Sequence, residues 1–132
     1  MAKKIISSVI IVFVVWSILD FVIHQLILGA SYQATANLWR PMAQMKMGLM
    51  YVVVFLVSIA FVCLYALLVG NQGLKTGFFF GLLYGFGSGV SMGYGTYSYM
   101  PIPYHMAFTW FIGSVVEFTI AGLIVGGICG KK

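Results

Sequence analysis

At 132 residues, 62% hydrophobic and 7% charged, with a mean hydropathy of +1.07, the chain is a single domain too apolar for an ordinary soluble protein. Its net charge of +5 comes from basic residues at the ends of apolar stretches, which marks membrane topology and not nucleic-acid binding. Four apolar stretches, at about 5–28, 48–69, 76–98 and 107–128, are each long enough to cross a bilayer as a helix. They predict an all-α polytopic membrane protein, a four-transmembrane-helix bundle forming one integral membrane domain over residues 1–132.

The first stretch follows Lys3 and Lys4. That pair and Ala34-Thr35-Ala36 resemble the parts of a cleaved signal peptide, but the apolar run is long for one, so a retained helix is expected. Lys3, Lys4, Lys75, Lys131 and Lys132 fall on one side of the predicted bundle, Arg40 and Lys46 on the other. The excess predicts both termini in the cytoplasm, N-in and C-in, with some attraction to anionic lipid. In size and layout alone the chain resembles small four-helix proteins of the bacterial inner membrane, where it is expected to reside.

Ser17, Asp20 and His24 interrupt the first stretch at i, i+3, i+7 spacing, which places them on one helix face. The outer segment 29–47 is too apolar for a free loop. Pro41 suits a first helical turn, so the second helix is expected to start there and protrude. Tyr32, Trp39 and Trp110 fit interfacial anchors. The inner turn 70–75 is tight and predicts an antiparallel pairing of the second and third helices.

In the third stretch Gly77, Gly81, Gly85, Gly89 and Gly93 recur every four residues. Such a stripe lets another backbone approach closely, either within the bundle or at a contact between copies. Gly122, Gly126 and Gly130 form a shorter version in the fourth stretch. Pro101 and Pro103 keep the outer turn extended. Cys63 and Cys129 map to the inner halves of their helices and read as small buried hydrophobes.

The chain has two acids, Asp20 and Glu117, and two histidines, His24 and His105. At about 1.5 Å per residue, Asp20 lies about 22 Å from the inner end of its helix, His24 about 28 Å, and Glu117 about 16 Å from the inner end of the fourth. An acid near a helix centre costs about 2.5–3.5 kcal/mol even on the lenient insertion scale, so both should face inward. An outward-facing pocket of Asp20, His24, His105 and Glu117 is therefore expected, supported by Ser17, Arg40, Tyr94 and Tyr97.

Two imidazoles and two carboxylates form a plausible shell for a transition metal. His24 and His105 alternatively suit axial ligation of a b-type haem. Met42, Met45, Met47, Met50, Met92, Met100 and Met106 lie in the outer half, and thioether with imidazole is a ligand set for copper. A proton relay or small ion-coupled transporter using Glu117 and the Asp20–His24 pair is a further reading, weakened by the apolar residues below both acids. A satisfied polar cluster in a purely structural subunit is the plainest one. With no nucleophile and base at recognisable spacing, the expectation is a small accessory or binding protein, metal- or haem-holding, in contact with the lipid bilayer and working as a homo-oligomer or within a larger membrane complex.

Overall fold

Runs of Ile, Val, Leu and Phe with no internal proline satisfy their backbone groups within one segment only as helices, and the computed structural model, which describes residues 1–70 and 72–130, is all-helical. Asn71, Lys131 and Lys132 lie outside the described residues, and with them one residue of the inner turn and part of the charge asymmetry. Helix α1 runs Ala2–Ile27, ending in a π-helical turn over Val22–Ile27. A short helix α2, Gly29–Ala34, and single 3-10 turns at Ala36–Leu38 and Met42–Gln44 make up the outer segment. Helix α3 is Met47–Val69. Helix α4 comprises Leu74–Gly89, a π-helical turn at Val90–Gly95 and Thr96–Tyr99, and helix α5 is Tyr104–Cys129.

Among the described residues three helices, α1, α3 and α5, are long and apolar enough to cross a membrane, with mean hydropathies of 2.6, 3.0 and 2.0. Helix α4 falls outside that class because seven glycines between 74 and 99 dilute its aromatic and aliphatic residues. The outward faces match a lipid solvent: Ile6, Ile10, Val14, Ile18 and Phe21 of α1 are all exposed, as are Leu49, Val52, Val53 and Leu56 of α3.

The second long helix starts at Met47, not at Pro41. Pro41 precedes one 3-10 turn, after which Met45 is extended and Lys46 non-helical. Pro103 behaves as expected, holding extended backbone at the entry to α5. At the inner turn Gly70 and Gly73 have φ of 82° and 93°, a region closed to most side chains.

Helix α5 is the centre of the fold, packed against α4 on one side and α1 on another. The α4 contact is made by the glycine stripe, all five members of which are buried. Gly77 lies against Gly122 and Gly126, Gly81 against the Phe118 carbonyl and Thr119, Gly89 against Phe111 and Gly93 against Ala107. The numbering falls on one helix as it rises on the other, so the pair is antiparallel. A Cβ on Gly85 would stand 2.9 Å from the Ser114 carbonyl oxygen and from Val115 Cα. The stripe is therefore occupied within the chain, which decides between the two uses its spacing allowed.

The core has two layers. The inner one joins Val9, Val12 and Trp16 of α1, Phe61, Val62 and Tyr65 of α3, and Ala121, Val125 and Cys129 of α5. Trp16 meets Phe61 and Phe118 edge-on, with ring centroids 5.7 and 4.9 Å away. Cys63 and Cys129 are free thiols. The outer layer joins Leu28, Ile102, Met106 and Ala107, with Tyr32, Trp39 and Trp110 packed against them. The polar residues of α1 sit between the two.

Candidate functional site

Asp20 and Glu117, the only acids of the chain, come from α1 and α5 and meet where those helices pack. Trp16, one turn below Asp20, pins the register by donating its indole N–H to the Glu117 backbone carbonyl at 2.8 Å. Ile23 covers Gly113, where a Cβ would come within 2.9 Å of Ile23 Cδ1. The carboxyls act on each other at short range, yet Glu117 Oε1, like Thr119 Oγ1, is a buried atom with no hydrogen-bond partner among the described residues. A buried polar atom left in this state is costly.

Above the acids runs a chain of hydrogen bonds. Trp110 Nε1 donates to the Tyr32 hydroxyl at 2.8 Å, and that hydroxyl lies 2.7 Å from His24 Nδ1. An indole N–H only donates, so the assignment that uses every donor once sends the Tyr32 hydrogen to Nδ1 and leaves the His24 proton on Nε2. Among the described residues Nε2 has no hydrogen-bond partner. The charge of Asp20 reaches both His24 and Tyr32.

The π-helical turn holding His24 widens the helix, with the Leu28 N–H reaching back five residues to the Ile23 carbonyl at 2.9 Å. Such turns are frequent at functional sites. It carries the chain into α2 and brings Tyr32 back over His24, with ring centroids 5.8 Å apart. Trp39 closes the cap from above, stacking edge-on to Tyr32 at 5.5 Å and donating to Thr35 Oγ1 at 2.8 Å. Burial pushes the Tyr32 phenol up to about 12, the Trp110 hydrogen bond working against that shift and the Asp20 charge with it.

Asp20 and His24 open sideways. Ser17, Asp20, Phe21, His24 and Gln25 of α1 face Met47, Met50, Tyr51 and Val54 of α3 across a groove of about 330 Å³. A second, apolar hollow of about 420 Å³ continues it inward along Phe13, Val14 and Ile18, sharing Ser17, Phe21 and Tyr51.

The structure thus brings Ser17, Asp20, His24 and Met47 to one groove and Glu117 to Asp20, and leaves the other expected members elsewhere. His105 is exposed and its Nε2 lies 2.7 Å from Ser31 Oγ. Arg40 is exposed. Tyr94 and Tyr97 turn to Tyr104, through a 3.0 Å hydroxyl contact and an edge-on stack, and not to the acids. Met42 is 77% exposed, Met45 half-buried and Met106 fully buried in the outer core. Among the described residues no three His, Cys, Asp or Glu side chains gather around a point that could hold a metal ion. The four-residue metal shell fails because His105 belongs to the outer surface.

Tyr32 and Trp110 are the members that sequence reading assigned to interfacial anchoring. The available signal was spacing: Tyr32 follows His24 by eight residues, about two helical turns along nearly continuous helix. No protein-family model, curated protein or solved structure matches the chain.

Proposed function

We propose that the chain is a small integral membrane protein crossing the bilayer four times, with α4 as the additional crossing and both termini in the cytoplasm. It acts as an accessory or binding protein through the site of Asp20, Glu117 and His24, which lies in its outer half and opens sideways between α1 and α3. The glycine stripe supports the crossing of α4: its polar backbone is sealed against α5, and Phe78, Phe79, Leu83 and Phe86 face outward.

One observation carries the functional reading. The only two acidic side chains of the chain meet, each half-buried, beside an imidazole with one nitrogen unpartnered among the described residues. Two carboxyls in contact in a low-dielectric interior accommodate one negative charge between them, so the pair shares a proton. His24, within reach of the Asp20 charge and open to the groove, is the route by which that proton or a ligand communicates with the site.

Below the acids the bundle is closed by Val12, Trp16, Phe61 and Val125, each at most 4% exposed. That packing favours a site that binds and exchanges on one side over a path across the membrane. The test is the infrared spectrum of the protein in lipid at neutral pH. A protonated-carboxyl stretch lost in Glu117→Gln and shifted in Asp20→Asn is expected; a wild-type spectrum showing both acids ionised would overturn the reading.

A further inference from the structure

The groove between α1 and α3 has a direction. Its outer part carries the polar atoms of Asp20, His24 and Gln25, flanked by Met47, Met50 and Tyr51. Its inner part is bare hydrocarbon and aromatic ring, from Phe13, Val14, Ile18 and Phe21. Polar at the outer end and apolar toward mid-membrane is the layout of an amphiphile lying in one leaflet. The volume of the polar part falls within the range of small-molecule sites.

The lining also defines the head that fits. Among the described residues no lysine or arginine lines the groove, so none of them there neutralises a phosphate. The groups that line it are the His24 imidazole, the Asp20 carboxyl, which in the reading above shares a proton with Glu117 behind it, and the Gln25 amide, which together offer donors to carbonyl oxygens. Phe21, Tyr51 and the two methionines supply flat and polarizable walls suited to a planar ring.

We infer that this groove binds a membrane-dissolved quinone-type amphiphile, an uncharged planar ring bearing carbonyl oxygens on a single apolar tail. The ring lies between His24 and Met50, and the tail runs inward past Phe21 and Ile18. The assignment rests on the site proposed above and names its ligand. It concerns binding, with no electron transfer.

The experiment titrates a decyl-tailed benzoquinone into the full chain in lipid nanodiscs and follows quenching of protein fluorescence. Saturable quenching is expected, weakened about tenfold by His24→Leu through loss of one hydrogen bond. Met50→Trp, an exposed position on the groove wall, should block binding without touching the core. Leu83→Trp on the outer face of α4 should leave binding unchanged. Quenching that never saturates, that is the same in His24→Leu and Met50→Trp, or that decyl phosphate competes away equally well, overturns the assignment. The carboxyl infrared signature separates the two failures. If it persists while quinone binding is absent, the ligand class is wrong and the proton-sharing site stands; if it is missing, the site itself falls.

Discussion

The hydroxyl of Tyr32 stands 2.7 Å from Nδ1 of His24 while accepting the Trp110 indole N–H at 2.8 Å. One phenol thereby ties the outer end of α1 to α5 and sets which His24 nitrogen remains free. Tyr32→Phe removes both bonds and leaves two partly buried nitrogen groups unpaired. A loss of about 1–2 kcal/mol in unfolding free energy is expected, measured in mixed micelles. A change within experimental error would mean that packing of Tyr32 against Trp39 suffices.

Tyr32 also gives a pH signature. Its phenol is pushed from the ordinary 10.0 up to about 12, chiefly by burial. A group whose folded value is raised favours its protonated form in the folded state, so its contribution is complete below pH 10 and is lost as pH rises toward 12. Phenolate absorbance of the wild type minus that of Tyr32→Phe should show one phenol titrating late. An ordinary midpoint for that difference would contradict the buried placement.

The glycine stripe makes a positional prediction. A methyl on Gly81 would collide with the Phe118 carbonyl, whereas Gly87 on the same helix meets open space. Gly81→Ala should destabilise by about 1–3 kcal/mol through overpacking. Gly87→Ala should be neutral or slightly stabilising, since alanine is the better helix former by about 1 kcal/mol. Equal effects at both positions would refute stripe packing within the chain.

Four crossings with both termini inside have a direct readout. Reporter domains inserted at Lys75 or fused after Cys129 should be cytoplasmic, and one inserted near Asn37 should be external. Opposite locations for Lys75 and the Cys129 fusion would show that α5 crosses without α4's return, and would overturn the topology.

How much of this was legible follows from which residues carry periodic signals. The ends of α1, α3 and α5 lie within about three residues of the apolar stretches, because length and hydropathy alone specify a span. The glycine stripe was visible because a four-residue repeat stays on one helix face. Asp20 and Glu117 were matched because each was the only other acid within an apolar stretch. The α3 wall of the groove was legible only in part: Met47 and Met50 stood among the outer methionines, but Tyr51 did not, because on a helix apolar all round no face announces itself. Tyr32 was hidden because an interfacial anchor and a hydrogen-bond bridge use the same amphipathic ring. His105, Tyr94 and Tyr97 were misassigned because depth along a helix says nothing of rotation about it. At the outer surface Ser31 and Tyr104 offered nearer partners.

The central claim is that Asp20 and Glu117 form one site, and a double-mutant cycle measures it most directly. Unfolding free energies of Asp20→Asn, Glu117→Gln and the double variant in the same micelles should be non-additive, with a coupling of about 1 kcal/mol or more. Strict additivity of the two substitutions would contradict the account.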